Sequence, residues 1–122
     1  MRLQESGEMY LETIYVLTRQ GRSIRAIDVC EHMGYSKPSV SRAVNLLKEG
    51  GYLIVDEGSL VLTDKGREKA EKTYKRHTVL TEFFSLIGVD KETATEDACK
   101  IEHHISDATI DALQKHLQEN KK

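Results

Sequence analysis

Apolar residues in this chain return mostly every three or four positions, the period of a helix with one buried face. From Glu8 to Leu17 the residues Met9, Leu11, Ile14, Tyr15 and Leu17 follow that spacing, which predicts a first amphipathic helix with Ser6 as its cap. Gly21 and Ser23 interrupt it. Ile24 to Met33 predicts a short second helix stopped by Gly34. After the turn at Gly34-Tyr35, Ser36 is placed to cap a third helix, with Pro38 in the first turn, where its missing N–H costs no bond. Val40, Val44, Leu46 and Leu47 form the apolar positions of that helix, and Gly50-Gly51 ends it.

The period changes at Tyr52. Tyr52-Leu53-Ile54-Val55 and Leu60-Val61-Leu62-Thr63 are β-rich runs on either side of Asp56-Glu57-Gly58-Ser59, the pattern of a small hairpin. Thr63 then caps a long helix with apolar positions at Ala70, Tyr74, Val79, Leu80 and Phe83, ending near Ile87-Gly88. Asp90 or Thr93 caps the next helix, and Ser106-Asp107 caps a last one carrying Ile110, Leu113 and Leu117. Two short helices around a tight turn, followed directly by a hairpin, make a winged helix-turn-helix. The expected fold is mainly α, with the winged helix-turn-helix over residues 1–63 and further helices over 64–122.

Composition narrows the class. A chain of 122 residues has the usual size of one compact domain, which excludes a second large one. No apolar run approaches the ~20 residues needed to span a bilayer. The stretch Met1 to Ser6 lacks the apolar core of a secretory signal, so the expected compartment is the reducing cytoplasm, with Cys30 and Cys99 as free thiols. The net charge of −2 argues against a generally basic nucleic-acid binder, but the charge is unevenly placed. Residues 64–77 carry six basic against three acidic side chains, whereas residues 90–122 carry five against eight. The acidic excess therefore lies away from the predicted winged helix.

In a helix-turn-helix the second helix enters the major groove with its N-terminal residues toward the bases. Here that segment is Ser36-Lys37-Pro38-Ser39-Val40-Ser41-Arg42. Ser36, Ser39 and Ser41 are short hydrogen-bonding groups, Lys37 and Arg42 can reach phosphate or guanine, and Pro38 offers an apolar face to a thymine methyl. The competing reading is the polar start of an ordinary helix. The preceding helix, the glycine stop and the hairpin favour double-stranded DNA. The basic run from Lys65 to Arg76 is more simply a solvated helix face.

The second concentration of chemistry is Cys99-Lys100-Ile101-Glu102-His103-His104. If residues 96–105 are helical, spacings of three and four put Cys99, Glu102 and His103 on one face. Sulfur, nitrogen and oxygen donors together suit a divalent transition ion rather than calcium or magnesium, which prefer oxygen alone. Three ligands leave the shell incomplete. Met9 and Glu12, also three apart, and His77 on the long helix are candidates to close it. Cys30 reads as core packing, and His32 and His116 as surface residues. Two rivals remain: a metal-independent winged-helix regulator responding to thiol oxidation or a small ligand, and a small metallohydrolase. The second lacks a Gly-rich or loop-borne catalytic set, so no enzyme is expected.

These residues carry a family resemblance. Glu8-Met9-Tyr10-Leu11-Glu12-Thr13-Ile14-Tyr15, Pro38-Ser39-Val40-Ser41, Leu60 to Gly66, Arg76-His77, Ile87-Gly88-Val89-Asp90 and Cys99 to His103 together resemble the diphtheria toxin repressor family of metal-dependent transcriptional regulators. The resemblance implies that residues 64–122 are metal-binding and dimerisation helices of a homodimer that binds a palindromic operator when loaded with metal. It implies a primary site of Met9, Cys99, Glu102 and His103, as in the iron-responsive branch, while Glu12 and His77 match ligands of the manganese branch. That branch has aspartate at position 9 and glutamate at position 99, so Met9 and Cys99 point to Fe(II), with Mn(II) the alternative. Thr81 stands where the family's second site has a carboxylate, and Thr95 where the iron branch has a histidine. Larger members carry an SH3-like domain, for which this chain leaves no room.

Overall fold

The computed structural model describes residues 5–21 and 23–119; Met1 to Gln4, part of the stretch read as lacking a secretory signal, lie outside the described residues. In chain order the elements are α1 (Glu5–Thr18), α2 (Ala26–Met33), α3 (Lys37–Glu49), β1 (Leu53–Asp56), β2 (Ser59–Leu62), α4 (Asp64–Leu86), α5 (Lys91–Ile101) and α6 (Asp107–Glu119). They form two compact units, Met1–Glu71 and Lys72–Lys122.

The N-terminal unit is a winged helix-turn-helix built on local signals. Gly34 adopts the left-handed conformation, φ 73°, and its N–H closes α2 on the Cys30 carbonyl. Ser36 then caps α3, its Oγ accepting from the Ser39 N–H at 3.3 Å. β1 and β2 pair antiparallel with Leu53 opposite Leu62 and Val55 opposite Leu60. The turn between them has positive φ at both Glu57 and Gly58, as a two-residue hairpin of the I′ kind requires. The Leu60 N–H donates to the Ile24 carbonyl at 2.6 Å, which ties the segment before α2 to the wing. Leu11 and Ile14 of α1, Ile24, Val29, Val40, Leu47, Leu53 and Leu60 close one core beneath these elements.

Three readings of the sequence are corrected. Ser6 does not cap α1 but lies inside it, because the helix already includes Glu5. α2 begins at Ala26 rather than Ile24, whose carbonyl is committed to β2. Leu46 faces outward, 58% exposed; Val40, Val44 and Leu47, spaced by four and three, already fill the buried stripe.

α4 starts where the chain leaves the wing, and its first turn is fixed by side chains. Thr63 Oγ1 accepts from the Gly66 N–H at 3.1 Å and donates to the Gly51 carbonyl at 2.7 Å. Lys65 Nζ donates to the Gly50 carbonyl at 2.8 Å and sits 4.3 Å from the centre of the Tyr52 ring. Gly66 is pressed against the main chain of Tyr52, where a Cβ would collide with the Tyr52 carbonyl. Glu8, 7% exposed on α1, pairs with Lys69 at 3.2 Å.

The C-terminal unit packs Val79 and Leu80 of α4, Ala98 of α5, and Ile110 and Leu117 of α6, with Phe83, Phe84, Ile105 and Leu113 around them. Asp90 caps α5 by accepting from the Thr93 N–H at 3.1 Å, and that bond holds its carboxyl below the ordinary aspartate range. Ser106 caps α6 through the Thr109 N–H at 3.2 Å. Asp107 receives Lys72 at 3.1 Å and Arg76 at 2.6 Å, and Lys75 reaches Asp111 at 3.2 Å.

Gly66→Ala must displace the backbone of Tyr52 and not merely a flexible side-chain tip. It is expected to destabilise the N-terminal unit by about 1–3 kcal/mol, as overpacking does. Thermal unfolding followed by circular dichroism reads this as a lower midpoint, and an unchanged midpoint refutes the tight approach.

Candidate metal centre

The donor-rich motif straddles a helix end. α5 stops at Ile101 rather than continuing to residue 105, a correction to the sequence reading. Ser106 must cap α6, which requires the chain to leave helical geometry and reverse between Glu102 and Ser106. Glu102 is the C-cap, still near helical dihedrals (φ −55°, ψ −25°), with its N–H donating to the Ala98 carbonyl. Cys99 is therefore in the last helical turn, while His103 and His104 lie in the following turn, closed by the His104 N–H on the Ile101 carbonyl at 2.8 Å.

Glu102 is the centre of the arrangement. It is a carboxylate exposed by only 1%, and each of its oxygens faces an imidazole. Oε2 lies 3.0 Å from Nδ1 of His77, which comes from α4, and Oε1 lies 3.3 Å from Nε2 of His103, whose side chain is itself 1% exposed. His77 Nδ1 is also 3.7 Å from Cys99 Sγ. Among the described residues, His77, Cys99 and Glu102 place one donor atom each within 4.8 Å of the others. His103 joins this group through Glu102. The set of one sulfur, one imidazole nitrogen and one carboxylate oxygen fits a divalent transition ion and not a hard oxygen-seeking one.

Arg76 supports the site from the position before His77. Its Nη1 donates to the Glu102 carbonyl at 3.2 Å and its Nη2 to Asp107 Oδ1 at 2.6 Å, so one guanidinium holds the turn bearing Glu102 and the start of α6. Within the sequence Arg76 looked like one more charge on a solvated helix face. The only local signal was its adjacency to His77, and its partners are 26 and 31 residues away.

The other expected residues fall as follows. Met9 and Glu12 belong to the N-terminal unit, half-buried on α1. His104 is exposed. Thr81 donates its hydroxyl to the His77 carbonyl at 2.8 Å, and Thr95 donates to the Lys91 carbonyl at 2.9 Å, so both are used by their own helices. In the N-terminal unit Lys37, Pro38, Ser41 and Arg42 are exposed at the start of α3, Ser39 is half-buried, and Ser36 donates to Ser39 Oγ at 3.0 Å. Cys30 is buried in the core, as its sequence context indicated.

Asp107 carries the clearest electrostatic signature near the site. The hydrogen bond from Arg76, then that from Lys72, holds its carboxyl below the usual aspartate value. A depressed native value means that the stabilisation is present above the unfolded-chain value, ~3.9, and is lost as pH falls through the native one. A carboxyl-detected NMR titration of Asp107 is expected to give a midpoint below ~3.9, moving upward in Arg76→Ala. A midpoint indifferent to that substitution contradicts the assignment.

Comparison with known proteins bears on both halves of the chain. Residues 2–59 match the family described as iron dependent repressor, N-terminal DNA binding domain. Residues 63–122 match iron dependent repressor, metal binding and dimerisation domain. The chain is similar to the HTH-type transcriptional regulator MntR of Geobacillus kaustophilus, 37% identical over 109 residues, covering 88% of this chain and 77% of that protein. Among solved structures it is similar to the metal-dependent transcriptional regulator MtsR, with 30% identity and TM-score 0.85 over 92% of this chain and 53% of that one. It is also similar to the manganese regulator SloR, with 28% identity and TM-score 0.81 over 97% and 55%. The chain thus spans about half the length of the last two.

Proposed function

The chain belongs to the diphtheria toxin repressor family and is a metal-dependent transcriptional repressor, and from that premise we propose how its own residues read the metal and the DNA. The ligands are His77, Cys99, Glu102 and His103, completed by Met9 and Glu12 of α1. The observation that carries this reading is the convergence of Cys99 Sγ, His77 Nδ1 and Glu102 Oε2 around one point. Fe(II) is the preferred ion, because a thiolate at Cys99 and a thioether at Met9 are softer donors than carboxylates. Mn(II) is the second reading, favoured by the similarity to MntR and to a structure named as a manganese regulator.

The bound ion supplies a positive charge and a shared coordination shell that draw these side chains into one fixed arrangement. Residues 1–63 are the DNA reader and residues 64–122 the metal-binding and dimerisation part. Lys37, Pro38, Ser39, Ser41 and Arg42, with Ser36 as cap, face the major groove of a palindromic operator. A homodimer formed through the C-terminal helices presents two such readers in the cytoplasm. Among the described residues no helix is long and apolar enough to cross a membrane. Ordering the ligands reduces the separations that the two readers sample, and a coupling of ~1–3 kcal/mol is sufficient for the switch.

Anaerobic DNA-binding titrations with Fe(II), Mn(II), Zn(II) and Co(II) test this. Fe(II) is expected to tighten operator binding by roughly 5- to 150-fold, the range of that coupling, and a chelator to reverse it. Affinity indifferent to every ion and to chelation sinks the proposal. Cys99→Ser and His103→Ala are both expected to lose metal binding in equilibrium dialysis. Loss of regulation in Cys99→Ser alone supports a thiol switch instead.

A further inference from the structure

The wing poses an electrostatic problem for a DNA-binding protein. Between Gly50 and Thr63 the chain contains no Lys or Arg, and the turn at its tip carries two exposed carboxylates, Asp56 and Glu57. Such a turn repels a phosphate backbone. The structure brings a cation to it from elsewhere: Arg25 Nη2 donates to the Glu57 carbonyl at 3.4 Å, and its guanidinium lies over Gly58, where a Cβ would overlap Arg25 Nη1. Glycine at 58 thus meets two demands, a φ of 83° and room for this guanidinium.

The base of Arg25 is firmly placed. It is the N-cap residue of α2, with its N–H donating to Asp28 Oδ2 at 2.9 Å, and the preceding Ile24 carbonyl is bonded to Leu60 of β2. The first helix of a helix-turn-helix crosses the DNA backbone, so the start of α2 and the wing tip belong to the surface that meets phosphate. A guanidinium carries five N–H donors in a fixed fork. The bond to Glu57 uses one and leaves an exposed side chain directed by two elements at once.

We propose that Arg25 is the phosphate-contacting group of the wing, supplied in place by α2 and held at the turn by the Glu57 carbonyl. Its partner is the sugar-phosphate backbone of duplex DNA, so the contact contributes to affinity and register and not to base choice. The assignment rests on the DNA-binding reading above, but it concerns a residue absent from the recognition helix. It also explains how an acidic hairpin serves as a wing.

A phosphate contact is read by salt dependence, which needs no knowledge of the operator. Binding of the full chain to a mixed-sequence duplex is measured across a salt series for the wild type, Arg25→Gln and Arg25→Lys. Arg25→Gln is expected to reduce the slope of log affinity against log salt by about 1, and Arg25→Lys to retain it. A wild-type slope in Arg25→Gln overturns the proposal. If Arg25→Gln melts early, the side-chain N–H resonances of Arg25 in arginine-labelled wild type decide. A shift on adding duplex supports the contact, and no change overturns it. A wild type that binds no duplex in any metal state removes the DNA reading itself, and this assignment with it.

Discussion

The buried carboxylate of Glu102 is the constraint to which the C-terminal unit answers. An ionised carboxylate held away from water costs several kcal/mol unless charge and hydrogen bonds compensate it. Here three side chains, two of them from α4, gather around it. His77 of α4 meets one oxygen, His103 of the following turn meets the other, and Arg76 holds the main-chain carbonyl. His77 Nδ1 lies within hydrogen-bonding distance of Oε2, and His103 Nε2 lies 3.3 Å from Oε1. A cation at the same point would supply the opposite charge to the carboxylate. The burial of Glu102 suits the ligand role proposed for it, with Cys99 Sγ at the edge of the same space.

A comparable economy appears at the base of the wing. The contact between Gly66 and the Tyr52 main chain, the Thr63 cap and the Lys65 bond to Gly50 all act within a few residues. They fix the direction in which the first turn of α4 leaves the hairpin, beside the burial of Ala70 in the same core. Backbone proximity at Gly66 does what a bulky side chain does elsewhere, and the absence of a Cβ is the condition for it. At the wing tip the same device recurs with a different partner, the Arg25 guanidinium in place of a carbonyl.

Much of this was legible in the sequence because it is local. Ser36 and Thr63 cap the helices they were expected to cap, Asp90 and Ser106 take the caps for which Thr93 and Asp107 were also candidates, and the switch from helical to alternating spacing at Tyr52 marked the hairpin. Cys99 and Glu102 were found from residue type and spacing, and they do converge. The convergence does not need the continuous helix expected through residue 105, since a C-cap with helical dihedrals keeps Glu102 in phase with Cys99. What local pattern could not carry was tertiary. His77 was one candidate among several until α4 placed it 3.0 Å from Glu102, and nothing in the local pattern around Arg76 named its partners. Gly66 entered only through the family resemblance, because a glycine required for close approach looks the same as one tolerated near a helix start.

The threonines at 81 and 95 sharpen the same point from the opposite side. Both sit on helices beside the donor cluster, at positions where the resemblance leads one to look for a second set of ligands. Their hydroxyls donate to carbonyls four residues earlier, the ordinary fate of threonine inside a helix. A side chain bonded in that way adds neither charge nor a strong donor atom to its surroundings. Among the described residues the donor atoms that the C-terminal unit brings together are those of His77, Cys99 and Glu102, with His103 beside Glu102. On the proposed reading these donors answer to the occupancy of one centre, and the softness of Cys99 and the burial of Glu102 together tune the response.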